Sequence, residues 1–358
     1  MVSEKYSNKF LKVKILFLTR KFFPITGGVE RHIYEISKKL VEKGNKITVV
    51  QEKNFENFVN FFSNSGIKAF VIPVTKREKL KKFEIWGWLC KNISLIKEAD
   101  IVHCHDVFFW MLPFRFLYPF KKIYTTFHGW EGIYPPARRA IWVRKLSESL
   151  SNGNICVGKY IPKWYGTRAD FITYGGVKKK KTTIKKGSGL LFVGRLEQDT
   201  GLPIYFKALR FLKKEKFEIK FIGDGSLREQ AGKLGRVLGF VDNVQSHISS
   251  SRFVFTSGYL SILEAMINKR LVFAVYDNPL KEDYLKLSPF SEYIIIEKEP
   301  EALIKKVKYF LSHPDEEEKL VNNAYLFAQK QTWDSVVRIY ENLWKGSEVK
   351  MNKEEDNK

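Results

Sequence analysis

The stretch FVFTSGYLSILEAMINKRLVFAVYDNP, residues 253–279, changes its apolar rhythm twice, and those changes decide the fold. Phe253, Val254 and Phe255 form a short unbroken apolar run, the pattern of a strand buried on both faces of a parallel sheet. Thr256, Ser257 and Gly258 are turn and cap residues. Leu260, Leu263 and Ile267, with Ile262 and Met266 beside them, then recur at helical spacing. Leu271 to Tyr276 is apolar again, and Asn278-Pro279 stops it. The reading is strand, loop, helix, strand. It puts a polar loop and one carboxylate, Glu264, at the start of a helix whose N-terminus favours anions. Read alone, Glu264 serves either as a ribose ligand beside helix-end amides that face a diphosphate, or as a residue that only complements the helix dipole.

The same alternation runs through the rest of the chain. Lys14 to Thr19 reads as the first strand, residues 24–28 as a loop ending in Gly27-Gly28, and Val29, Ile33, Ile36 and Leu40 as one helix face before the strand Ile47 to Val50. Glycines at the first strand-to-helix turn occupy the usual place of a phosphate-binding loop, although the spacing is neither GxGxxG nor a P-loop. Ala69 to Val74, Ile101 to Cys104 and Ile123 to Phe127 add further strands, and the whole reads as a doubly wound sheet. A second α/β pattern begins at Leu190 to Val193, followed by Gly194-Arg195. It continues through a helix over 202–214, the strand Ile219 to Ile222, Gly223, a helix over 226–235 and a strand near Val237 to Phe240. Helices near 300–311, 315–330 and 333–344 close the chain. The expected divisions are a loose start (1–12), a first domain (13–177), a basic linker (178–189), a second domain (190–331), a terminal helix (332–345) and a disordered tail (346–358).

At 358 residues the chain suits two domains. Three widely spaced cysteines, Cys90, Cys104 and Cys156, argue against a disulfide framework and for a reducing compartment, so a cytoplasmic location is expected. The longest greasy stretch, residues 107–120, is broken by Pro113, Arg115 and Pro119 and is too short to span a bilayer. The net charge of +23 is lopsided: residues 1–186 hold 36 Lys and Arg against 14 Asp and Glu, whereas the remainder is nearly neutral. Such a field attracts an anionic partner. Trp86, Trp88, Phe108, Phe109, Trp110, Phe114, Phe116 and Tyr118, among Lys79, Lys81, Lys82, Arg115, Lys121 and Lys122, read either as an element that docks on an anionic membrane surface or as core aromatics with solvated lysines. No RNA- or DNA-binding signature accompanies them, and a nucleic-acid partner is not expected.

These motifs, in this order, resemble glycosyltransferase family 4, retaining enzymes of the GT-B fold with two Rossmann-like domains facing a cleft. GGVERHIYEISKKL resembles the family's first loop and helix, DIVHCHD and TTFHG its strand-end histidine motifs, and FVGRLEQDTG its GRL motif. LSILEAM with LVFAVYDNP resembles its nucleotide-binding stretch, and TWDSVVRIYENLW the terminal helix that crosses back to the first domain. The resemblance implies transfer of a sugar from a nucleotide sugar to an acceptor hydroxyl, with no metal and no cofactor beyond the co-substrate; the basic first half points to a lipid-linked or other anionic acceptor, with a glycan as the other expectation. The resemblance also implies that Gly27 and Gly28 admit the donor phosphate, that His128 contacts the transferred sugar, that Arg195 holds the diphosphate leaving group and that Glu264 binds the ribose. Gly223, Thr256, Ser257 and Gly258 complete the expected donor site. His103 and His105, on one strand face, read either as core residues or as part of the acceptor cleft, where the resemblance puts them, since sequence supplies no third ligand for a metal and no Asp-x-Asp motif. Two positions depart from the family pattern. Asp199-Thr200 stands where a lysine is frequent, and Thr256 where the first of two glutamates is frequent. A protein that binds the nucleotide sugar without transferring it is therefore the alternative.

Overall fold

The computed structural model describes residues 12–22, 27–52, 65–74, 78–181 and 187–346. The readings of the N-terminal segment, the tail and the centre of the linker fall largely outside these residues. Two all-parallel sheets carry the fold. The first holds β1 (Lys14–Thr19), β2 (Lys46–Gln51), β3 (Ile67–Val71), β4 (Ile101–His105), β5 (Lys122–Phe127), β6 (Asn154–Val157) and β7 (Phe171–Thr173), in the order 3-2-1-4-5-6-7. The second holds β8 (Leu190–Val193), β9 (Ile219–Ile222), β10 (Arg236–Gly239), β11 (Phe253–Phe255), β12 (Leu271–Val275) and β13 (Ile295–Glu297), in the order 10-9-8-11-12-13. The order reverses direction between β1 and β4 and again between β8 and β11, and a crevice opens beyond the carboxyl ends of the strands at each reversal.

Both sheets are covered on both faces, which is why their strands read as unbroken apolar runs. Along β1, Ile15 and Phe17 enter one core while Leu16 and Leu18 enter the other. Along β12, Leu271, Phe273 and Val275 alternate in the same way with Val272 and Ala274. The final helix, Trp333–Trp344, follows the second domain in sequence yet belongs to the core of the first. Trp333, Val336, Val337, Tyr340, Leu343 and Trp344 pack there against Ile33, Ile36 and Leu40 of the first helix, Gly28–Glu42.

Several elements differ from the sequence reading. The third strand ends at Val71 rather than Val74, because Pro73 has no N–H to give a ladder. β6, β7 and β13, three or four residues each, are strands that the sequence reading does not contain. Asn278-Pro279 stops β12 and also starts a helix, Pro279–Lys286, in which Asn278 Oδ1 accepts from Lys281 N at 3.0 Å and proline takes the first position. The linker is tied at its start, where Lys178 pairs with Glu35 at 3.4 Å and Lys180 donates to Asn268 at 3.0 Å. Of the aromatic cluster, Phe108, Trp110 and Phe114 are core residues and Trp86 donates its indole N–H to Phe109 O. Phe116, Leu117 and Phe120 stay exposed, Phe120 almost completely at 96%. No helix among the described residues is long and apolar enough to cross a membrane.

Replacing Trp344 by alanine removes a large side chain from the contact between the last helix and the first domain's core. It should cost about 3–5 kcal/mol of stability, read by urea unfolding. A loss below about 1 kcal/mol would show that this helix does not hold the first domain's core together.

Candidate active site between the two sheets

The two crevices face each other and enclose a cavity of about 340 Å³, a size usual for small-ligand sites. Gly27, Gly28, His128, Arg195, Thr256, Ser257 and Gly258 all line it. Gly27 and Gly28 start the first helix beyond β1, His128 follows β5, Gly194-Arg195 follows β8, and Thr256 to Gly258 join β11 to the helix Tyr259–Ile267. These separate segments converge because each stands at the carboxyl end of a strand or the start of the helix after it.

Four other expected site residues are not cavity residues. Gly223 is needed for packing: at φ of +131°, a Cβ there would overlap the carbonyl oxygen of Gly194. Glu264 is buried against the first helix, with its carboxylate 2.6 Å from Arg31 Nη2. Burial raises its pKa, and Arg31 opposes the rise. Here this acid joins the domains and does not face the cavity. His103 and His105 do not reach an acceptor cleft either. Both are fully enclosed, because helix Trp333–Trp344 lies over the face of β4 on which they stand.

Their surroundings give these histidines a different role. Trp344 Nε1 donates to His103 Nδ1 at 3.0 Å, and an indole N–H only donates, so His103 carries its proton on Nε2. That N–H donates to Thr126 Oγ1 at 2.7 Å. The Thr126 hydroxyl then donates to Tyr340 Oη at 3.0 Å, and Tyr340 donates to His32 Nε2 at 3.0 Å. This direction leaves no hydroxyl hydrogen without an acceptor. His32 lines the cavity and is thereby held in its Nδ1–H form. In a neighbouring contact, His105 Nδ1 and His128 Nε2 are 2.8 Å apart, and the backbone N–H of His128 donates to the Asp106 carboxylate at 3.1 Å. Burial, and then the Arg144 guanidinium, push the His128 pKa down to about 3. Burial also pulls His32, His103 and His105 well below the usual histidine value. The cavity therefore meets neutral imidazoles.

The second domain supplies charge and hydroxyls. Arg195 Nη2 lies 2.6 Å from Asp199 Oδ2, and Thr200 Oγ1 donates to Glu197 O at 2.7 Å. Ser257 Oγ bonds Tyr205 Oη at 2.9 Å. Lys281, Trp130 and Tyr284 line the cavity as well, and sequence reading missed all three together with His32. His32 was legible in principle, one turn beyond Gly28 on the same helix face. Among the described residues no cluster of three or more His, Cys, Asp or Glu suited to a metal occurs, and the cavity lining contains no carboxylate.

A sequence profile described as Glycosyltransferase Family 4 matches residues 26–187. The first domain belongs to glycosyltransferase family 4. The whole chain has the GT-B fold. It superposes on a glycosyltransferase from Rickettsia africae with a TM-score of 0.73 and 16% identity, covering 94% of this chain and 98% of that one. For Anabaena HepE in complex with UDP the values are 0.71 and 14%, over 94% and 100%. A UDP-N-acetylglucosamine 2-epimerase from Listeria monocytogenes described as putative shares the fold at 0.64 and 16%, over 94% and 98%, so the architecture alone does not name a reaction. Among sequence relatives, the gpi3 subunit of phosphatidylinositol N-acetylglucosaminyltransferase of Schizosaccharomyces pombe is 26% identical over 87 residues, 24% of this chain and 19% of its own length. The GPI3 subunit of the Saccharomyces cerevisiae enzyme of that name is 30% identical over 95 residues, 25% of this chain and 21% of its own. The matched stretch thus spans about a fifth of these relatives.

The family 4 domain makes a clear titration prediction. A histidine whose folded pKa is depressed supports the fold above its unfolded value near 6.5 and loses that support as pH falls toward its folded value, about 3 for His128. The ¹³C and ¹⁵N shifts of the His128 ring should therefore report neutral imidazole from pH 8 to pH 5. A midpoint near 6.5 would contradict its burial. Tyr340→Phe should cost about 1–3 kcal/mol by leaving Thr126 and His32 without their shared hydroxyl. It should also release His32 from one tautomer, which ¹⁵N spectra would show.

Proposed function

We propose that this protein is a retaining glycosyltransferase that moves a sugar from a nucleoside-diphosphate sugar to an acceptor hydroxyl. The observation that carries the reading is a cavity at both strand-order reversals, lined by backbone-exposing glycines and Arg195 and free of carboxylates. A diphosphate there meets the start of the first helix at Gly27-Gly28 and the guanidinium at the end of β8. The bond from the anomeric carbon to the diphosphate breaks, negative charge grows on the leaving oxygen, and fixed cations stabilise it. The acceptor oxygen bonds to the same face of the sugar and its proton passes to the departing phosphate. Retention suits this site because neither imidazole of the described cavity lining is poised as a base: burial holds the pKa of His32 well below the usual histidine value and pushes that of His128 down to about 3. His128 orients the sugar rather than taking a proton. The reading requires no metal and no further cofactor, since side-chain cations neutralise the leaving group. Nothing in the site favours a protein that binds the donor without transfer.

The relatives named for phosphatidylinositol support a lipid-linked acceptor, and the UDP complex of HepE supports a nucleotide donor. The reading places the protein in the cytoplasm, against an anionic membrane face. The basic first half agrees with this, as do Phe116, Leu117 and Phe120, exposed beside Lys122. The ammonium of Lys121, partly exposed nearby, bonds the carbonyls of Ala99 and Lys97 at 2.8 and 3.0 Å.

Arg195→Ala should lower turnover roughly 10²- to 10³-fold, as for other leaving-group donors, in an assay of UDP-, GDP- and ADP-sugars that also counts donor hydrolysis. An unchanged rate would remove Arg195 from the chemistry, and no turnover or hydrolysis of any donor by the wild type would defeat the enzyme reading. Separately, Phe116→Ser with Phe120→Ser should reduce sedimentation with phosphatidylserine-containing vesicles, and added salt should reduce it further. Equal binding to neutral and anionic vesicles, unaffected by salt, would rule out the membrane assignment.

A further inference from the structure

Sequence and structure together leave one charge in the cavity without a task. Arg195 is half of a tight pair with Asp199, at 2.6 Å, so that corner is close to neutral. Lys281 lines the same cavity from the helix Pro279–Lys286. Its ammonium has no ion-pair or hydrogen-bond partner among the described residues. It sits over two aromatic faces, 5.1 Å from the Trp130 ring centre and 5.2 Å from that of Tyr284. Trp130 belongs to the first domain and Tyr284 to the second, so the cation rests at the seam between them. A half-buried ammonium held by rings and lacking a counterion is a site built for an anion.

We propose that Lys281 is the principal cation for the diphosphate of the nucleotide donor, a binding residue that joins Arg195 at the leaving group. The assignment rests on the donor-site reading above. Asn278 supports it by capping the helix through Lys281 N at 3.0 Å, which fixes where the side chain starts. An incoming diphosphate supplies the missing counterion and leaves the Arg195–Asp199 pair free to open as negative charge develops.

The amine's titration offers a signature. Burial pushes its pKa down to about 8, Asp199 and Asp277 oppose this, and Arg195 adds to it. The other groups facing it are the phenol of Tyr284, pushed above its usual value, and the indole of Trp130. Carboxylates and guanidinium groups keep their charge between pH 7 and 9.5, and a terminal phosphate is ionised throughout. Lys281 is therefore the group of this set whose charge changes in that window.

Calorimetric titration of UDP, GDP and ADP into the wild type, Lys281→Gln and Lys281→Arg at pH 7 and pH 9.5 tests the assignment. The wild type should bind one of these nucleotides and lose about tenfold in affinity at the higher pH. Lys281→Gln should bind roughly 10- to 100-fold more weakly at pH 7, with no further loss at pH 9.5. Lys281→Arg should restore binding at pH 7 and keep it at pH 9.5, which a merely structural lysine would not produce. Wild-type affinity in Lys281→Gln, or the same pH loss in Lys281→Arg, overturns the role of Lys281 while leaving the donor site standing. If the Gln variant fails to fold, the Arg variant's pH profile decides alone. A wild type that binds none of the three nucleotides overturns the donor-site reading and this assignment with it.

Discussion

The contact on which the rest depends is the return of the chain's last helix to the first domain. Trp344 meets His103 there through a donor-only indole, and from that bond every proton along His103, Thr126, Tyr340 and His32 is directed. One helix thereby does two jobs. Its apolar face completes the core that Ile33, Ile36 and Leu40 begin, and its polar atoms hold a cavity-lining imidazole in one tautomer. The domains are coupled a second time by Arg31 and Glu264, an ion pair between the first helix and the helix after β11. Because both links touch the first helix, the position of Gly27-Gly28 over the cavity is set from two sides.

Charge in the site is arranged by solvation as much as by residue type. Four histidines crowd the seam, yet burial keeps them neutral, so they contribute shape and hydrogen bonds and not positive charge. Among the described lining residues, Arg195 and Lys281 of the second domain carry the positive charge, and each is held differently. The guanidinium is balanced by Asp199, whereas the ammonium rests on rings. A cleft with neutral donors on one wall and cations on the other suits a ligand with a sugar at one end and a diphosphate at the other.

Much of the architecture is legible in the linear pattern because parallel strands buried on both faces leave short apolar runs, and the helices between them repeat every three to four residues. Phe253–Phe255 and Leu271–Val275 are strands as their pattern implies. The glycines, His128 and Arg195 are legible for a related reason: they stand just past the end of a strand, where such sheets bind ligands. What escapes is whatever depends on distant packing. Spacing along β4 puts His103 and His105 on one face but cannot say that a helix some 240 residues later covers it. Helical phase identifies Glu264 near a helix start but not that Arg31 reaches its carboxylate first. Lys281, which lines the cavity with Arg195, stands on a helix hidden behind an asparagine and a proline that look like a stop.

By itself the sequence determined two α/β units, a basic first half and glycine- and arginine-bearing turns at the ends of their first strands, because these follow from local periodicity, residue conformation and fixed charge. Only the tertiary structure decided which of those turns share one cavity, which histidines are sealed from it, and that Lys281 enters it. Those outcomes depend on how two sheets and a returning helix pack, and packing between remote segments leaves no period in the chain.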